Sequence, residues 1–257
     1  MKKVALIGAG NINWHLGTAL LSKHYQVCQV YSRTRKSALA LSKKLDCKYT
    51  TSLNKIDTEA EIILIAVSDD AIPEVVKSLS YLENKNRLFV HTSGSTKLAI
   101  LSKHFTQCGV FWPPQSIRKE QKINIKQTPF VVVAEEASEK DMLQFAKRLS
   151  SKITLLSEGQ KSKLHMAAVF ANNFTNHLFS VAYDSCQEEN LDFALLYPII
   201  QQTIEKIELG DPSDFQTGSA IRGDLKTIKN HHKLLKGSPE LKKIYTLLSK
   251  NINPKIK

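Results

Sequence analysis

His165, Asn172 and Asn176 punctuate a stretch that is otherwise rich in apolar side chains, among them Met166, Val169, Phe170, Leu178 and Phe179. At about 100° per residue, His165 and Asn172 lie some 20° short of two full turns apart. Asn176 is about 40° further round, so the three share one helix face. Buried imidazoles and amides need partners. The set therefore either satisfies a helix–helix contact, such as a dimer interface, or faces a substrate. In the second reading His165 is a general acid–base, Asn172 and Asn173 orient a carbonyl or carboxylate, and Asn176 is a further substrate contact. A second polar island runs Gln216-Thr217-Gly218-Ser219-Ala220-Ile221-Arg222-Gly223-Asp224. It predicts either a shaped turn that offers Arg222 to an anion or an interhelical loop with a surface ion pair. There is no GxSxG nucleophile elbow and no HExxH or comparable metal-ligand spacing, so no metal is expected.

A second chemistry is written at the N-terminus. Val4-Ala5-Leu6-Ile7-Gly8-Ala9-Gly10 is an apolar strand that runs into a glycine turn, with a helix directly after it. Gly8 allows the tight turn, and Gly10 lets a pyrophosphate approach the backbone. The free N–H groups of the helix start, at Asn11 and Ile12, face that anion. Asn13 replaces the third glycine of GxGxxG. That glycine permits close packing, so the helix is expected slightly further from the sheet. NAD-preferring sites carry Asp or Glu at the end of the second strand. Here that position reads Tyr31-Ser32-Arg33-Thr34-Arg35. Two hydroxyls and two guanidiniums suit a 2′-phosphate, with Arg33 stacked on the adenine, and predict NADP(H) over NAD(H). Val67-Ser68 and Thr92-Ser93 close two later strands and should line the same crevice. Ser95 and, after Pro113-Pro114, Gln115 are expected at its substrate end. Asp69 and Asp70 are read as helix caps.

These residues need a scaffold, and the pattern supplies one. Strands are expected at Lys3–Ile7, Gln26–Tyr31, Glu61–Val67, Arg87–His91, Gly109–Trp112, Phe130–Ala134 and Ile153–Leu156. Helical stretches lie between them, with N-caps at Asp69 and Ser138. Alternation of this kind implies an α/β Rossmann-type, doubly wound, mostly parallel sheet over residues 1–156. From 157 to 257 only helices are expected: Ser162–Glu188, Asp192–Leu209 with a kink at Pro198, Ser219–Leu235 and Pro239–Ser249. This all-helical part is assigned to substrate binding and dimerisation.

Composition narrows the class. The chain has 257 residues, 42% hydrophobic and 23% charged, which excludes a disordered tail, a fibre or a disulfide miniprotein. Its 36 Lys+Arg against 24 Asp+Glu give a net charge of +12. The lysines are scattered along the chain and only 7% of residues are aromatic, so a solvated basic surface is expected rather than a nucleic-acid partner. Cys28, Cys47, Cys108 and Cys186 form no CxxC pair and fit a reducing cytoplasm. Met1-Lys2-Lys3 opens like a secretory signal, but the apolar run breaks at Gly8. No apolar run reaches the roughly 18–20 residues that cross a bilayer.

The glycine turn, Ala66-Val67-Ser68-Asp69-Asp70, His91-Thr92-Ser93-Gly94-Ser95, Ala168-Val169-Phe170-Ala171-Asn172-Asn173-Phe174 and the 216–224 island together resemble a bacterial Rossmann-like family. The second half of that family is catalogued as domain of unknown function 2520. The N-terminal half looks like the NADP-binding domain of deazaflavin-dependent NADP oxidoreductases. The overall plan is similar to 6-phosphogluconate and β-hydroxyacid dehydrogenases. The resemblance implies a nicotinamide cofactor and a homodimer built through the helical domain. In β-hydroxyacid dehydrogenases a lysine on the first long helix of the second domain is the acid–base group. Here Lys161 and Lys163 lie slightly early, and His165 leads the row to Asn172. The combined expectation is a cytoplasmic NADP(H)-dependent oxidoreductase that reduces a small, anionic carbonyl or imine. The alternative is a non-catalytic NADP(H)-binding sensor or scaffold.

Overall fold

The computed structural model describes residues 1–256. Contacts divide the chain into two compact units, Met1–His177 and one beginning at Leu178. The first holds a single sheet of β1 (Lys3–Ile7), β2 (Gln26–Tyr31), β3 (Lys48–Thr50), β4 (Ile62–Ile65), β5 (Leu88–His91), β6 (Cys108–Trp112), β7 (Phe130–Ala134) and β8 (Ile153–Leu155). The strand order is β3-β2-β1-β4-β5-β6-β7-β8. Every pairing is parallel except β6 with β7. The order reverses between β1 and β4, which opens a crevice at their carboxyl ends. β3 was not expected: Lys48-Tyr49-Thr50 is too short to show alternation, and it forms by pairing with β2.

Helices α1 (Asn11–Ser22), α2 (Arg35–Leu45), α3 (Ile72–Ser78), α4 (Ala99–Ser102) and α5 (Glu136–Leu149) cover the sheet. β4 shows why its sequence is apolar throughout. Ile62 and Leu64 enter one core with Leu16, Leu41 and Phe145. Ile63 and Ile65 enter the other with Val76, Phe89 and Leu101. A strand buried on both faces needs no polar side.

Several local expectations are corrected. Asn13 is fully buried, and its Nδ2 donates to Gly8 O at 2.8 Å and Ile7 O at 3.3 Å, which braces the turn. Close helix–sheet approach occurs one turn later, at Gly17. A Cβ there would lie 2.6 Å from Leu45 Cδ1 and 3.1 Å from Leu6 Cδ1. Asp69 is not a cap: it lies inside a short 3₁₀ turn, and its carboxylate accepts from Ser95 Oγ. Ser138 lies within the first turn of α5, buried, where its hydroxyl accepts from Cys108 N at 3.2 Å.

The helix expected at Ser162 starts four residues earlier. Ser157 and Gln160 form a capping box, Gln160 N to Ser157 Oγ at 3.3 Å and Ser157 N to Gln160 Oε1 at 2.9 Å. The run then divides into α6 (Glu158–Ala168), a π-helical segment (Val169–Phe174) and α7 (Thr175–Glu188). In the second unit Pro198 does not kink a helix. It sits in the first turn of α8 (Tyr197–Ile207), where its missing N–H costs nothing. The expected Ser219–Leu235 helix is broken into α9 (Ser219–Arg222) and α10 (Leu225–Leu234), because Gly223 adopts φ +68° and Asp224 caps α10. Helix α11 (Pro239–Ile252) follows. No strand occurs among the described residues of this unit.

Candidate cofactor and substrate site

At the end of β1 the chain turns at Gly8, with φ +105°. A Cβ there would fall 2.2 Å from Ala66 O, so only glycine fits. Gly10 differs: a Cβ on it would meet no atom within 4 Å. Its backbone therefore faces open space beside the N-terminus of α1, the place where an anion meets unpaired N–H groups. That space is a cavity of about 600 Å³. Its lining brings together Gly8, Gly10, Asn11 and Ile12 from the turn, Ser32, Arg33 and Thr34 from the end of β2, Val67 and Ser68 after β4, and Thr92, Ser93 and Gly94 after β5. The segment from β2 contributes no carboxylate. Arg35 turns away, its Nε donating to Tyr49 Oη at 3.2 Å. Asp69, on the strand end expected to line the crevice, does so; Ile117 lines it too, and no local signal pointed to that residue.

The β5 turn is held from below. His91 is buried, and its Nδ1 accepts from Ser93 N at 3.2 Å. Burial, with Lys161 nearby, pushes its pKa down to about 4. The ring is thus neutral near pH 7, with its proton on Nε2, which finds no partner. Ser93 Oγ accepts from Thr96 N and donates to Thr96 Oγ1, both at 3.0 Å. Lys161 is completely buried. It donates to Thr96 O and pairs with Glu158 at 2.9 Å, while Glu158 Oε2 accepts from Leu98 N at 2.8 Å. The first turn of α6 is thereby clasped to the loop after β5.

One turn beyond Lys161 stands His165. Its ring meets Trp112 edge-on, centroids 5.5 Å apart. His165, Trp112, Pro113, Pro114, Gln115, Ser116, Ala168, Val169, Asn172 and Asn173 line a second pocket, of about 340 Å³. Asn172 and Asn173 fall in the π-helical segment, a wider turn of the kind that marks functional positions in helices. The remaining expected site residues lie elsewhere. Ser95 lines neither cavity and donates to Asp69. Asn176 is exposed at the start of α7, outside both cavities, and Arg222 is exposed at the end of α9 in the second unit. Among the described residues, no group of His, Cys, Asp and Glu could hold a metal ion. No described helix is long and apolar enough to cross a membrane.

Residues 3–93 match the family described as NADP oxidoreductase, coenzyme F420-dependent, and residues 128–252 match the domain of unknown function DUF2520. No curated protein matches the chain. Among solved structures, a Bacteroides fragilis protein described as a "putative NADP oxidoreductase" is 34% identical, with TM-score 0.88 over 99% of this chain and 98% of that one. A Thermotoga maritima protein is 20% identical, TM-score 0.72, over 98% and 97% of the two chains. An imine reductase of Myxococcus stipitatus, solved with NADP⁺, is 15% identical, TM-score 0.75, over 98% and 93%. The last two show a shared fold. The chain belongs to the family of the Bacteroides fragilis protein, NADP oxidoreductases in which a Rossmann-type domain is followed by a DUF2520 domain.

Proposed function

We propose that the chain binds NADP(H) in the larger cavity and reduces a small carbonyl or imine compound held in the smaller one. The observation that carries this reading is the position of Gly94. It lines the first cavity and lies directly against Trp112 and His165, which line the second. The reacting ends of two ligands so placed would meet across a residue without a side chain. The Gly8–Gly10 turn and the α1 N-terminus suit a pyrophosphate, and Arg33 with Ser32 and Thr34 suits a 2′-phosphate. When bound, NADPH supplies the hydride. His165 supplies the proton to the carbonyl oxygen or imine nitrogen, and Asn172, Asn173 and Gln115 orient the substrate by hydrogen bonds. The net charge of +12 favours an anionic compound. The imine reductases and a pyrroline-5-carboxylate reductase from Coxiella burnetii that share the fold make cyclic imines the first class to screen.

The test is substrate-dependent loss of NADPH absorbance across a panel of carbonyl and imine compounds, repeated with His165→Ala. A turnover rate reduced by about 10²–10⁴-fold in the variant supports the assignment. Tight NADPH binding without turnover of any compound moves the protein to the sensor or scaffold reading.

We also infer a homodimer through the helices after residue 157. Neither α7 nor α8 contains a buried residue. Leu195, Ile199, Ile204 and Ile207 are each more than half exposed. An apolar face of this extent calls for a second copy to cover it. Light scattering should give twice the chain mass, and Ile204→Glu should halve it.

A further inference from the structure

A third recess, of about 780 Å³, is distinct from both cavities above. It lies in the first unit between α1 and the loop that joins β6 to β7. Lys23 reaches it from the end of α1, Lys44 from the end of α2, and Lys119, Lys122 and Lys126 from the loop. Glu120 is the one carboxylate on its wall. Among the described residues, none of these five ammonium groups has a carboxylate within ion-pair distance; the ion pairs there are Lys3–Glu59, Lys161–Glu158 and Lys243–Glu240. The wall is also preformed. Lys119 N donates to Asn11 Oδ1 at 3.3 Å, and His15 Nε2 is 2.9 Å from Arg118 O, so the loop is fastened to α1.

We propose that this recess is a second anion site, which takes a phosphate-bearing polyanion of nucleotide size. Like charges on three separate segments repel one another. A recess that gathers them focuses their field, and an anion bound there relieves the repulsion. Its volume is that of a small-ligand site. Lys44 lies 4.4 Å over the ring of Trp14, and burial lowers its pKa from the ordinary value. Its ammonium rests on an aromatic face and, among the described residues, has no carboxylate partner. A small polyanion fits better than a nucleic acid. A duplex backbone needs a stripe of charge along the surface, and base stacking needs a free aromatic face, whereas the face of Trp14 is taken.

The test is calorimetric titration of the full chain with tripolyphosphate, using wild type, the triple variant Lys44→Gln/Lys122→Gln/Lys126→Gln, and Arg33→Ala. With the cofactor cavity filled beforehand by saturating NADPH, the expected result is one saturable site per chain, weakened about tenfold or more in the triple variant and unchanged in Arg33→Ala. Unchanged thermal melting of the triple variant separates lost binding from lost folding. The proposal is overturned by three outcomes. One is no saturable binding to wild type. Another is binding that disappears in Arg33→Ala but survives in the triple variant, which would place the ion in the cofactor cavity. The last is a short DNA duplex that outcompetes tripolyphosphate, which would make the surface a nucleic-acid site.

Discussion

Gly94 and His165 touch so closely that a Cβ on the glycine would lie 2.6 Å from His165 Cδ2, and 2.5 Å from Trp112 Cε2. Both neighbours are flat rings packed against each other, and neither can swing aside as the end of a flexible chain would. Gly94→Ala should therefore push His165 out of place. Overpacking of this kind costs about 1–3 kcal/mol. The larger effect is on turnover, which should fall at least about 100-fold because the proposed proton donor, His165, is displaced. Steady-state kinetics beside a melting curve check this. An alanine variant with wild-type turnover would remove Gly94 from the junction of the two cavities.

Cofactor choice should reside in Arg33. A charge-assisted contact to a 2′-phosphate contributes about 1.5–3 kcal/mol, so Arg33→Ala should weaken NADPH by about 10–100-fold and leave NADH unchanged. Paired calorimetric titrations with the two nucleotides measure it. Arg35→Ala should alter neither affinity, because that guanidinium is turned toward Tyr49.

Lys161 is a test of anchoring. Lys161→Met removes the clasp on Thr96 O and leaves Glu158 facing a buried loop without its partner. Breaking buried pairs costs about 3–5 kcal/mol. The Glu158 side chain keeps about a third of its exposure, so the lower end applies and the melting temperature should drop by roughly 6–12 °C. Adding Glu158→Gln should recover part of that loss. Full stability in the single variant would show that α6 needs no such clasp.

His91 sets a pH dependence with a definite sign. Its ordinary pKa is 6.5 and burial lowers it to about 4 in the folded chain. Between those values the unfolded chain binds the extra proton and the folded chain does not. Stability is therefore fully present above about pH 6.5 and is lost as pH falls toward 4, by up to about 3 kcal/mol. Denaturant midpoints measured from pH 7 to pH 4 should fall for wild type and fall less for His91→Gln. Parallel curves would assign the acid sensitivity to other groups.

Much of this protein is legible from neighbours along the chain. β1, β2 and β7 lie where alternation and apolar runs put them, because strands that face a core on both sides are mainly apolar whatever packs on them. The Gly8–Gly10 turn and the acid-free Ser32-Arg33-Thr34 segment are equally local, since backbone conformation and donor type at a strand end depend on a few adjacent residues. What tertiary packing decided is everything that joins distant segments. Asn13 does its work through backbone oxygens at a turn, and close approach of α1 falls to Gly17, which no fingerprint singles out. Helical arithmetic put His165, Asn172 and Asn176 on one face. The π-helical segment resets that phase, so Asn173 joins the pocket and Asn176 does not. Lys161 is a surface lysine by composition, yet it is buried because Thr96 O and Glu158, 65 and three residues away, supply its partners. Five lysines from three separate stretches of the sequence meet around one recess. Charge and periodicity are properties of a string, whereas convergence depends on which helix end and which loop the sheet order brings together.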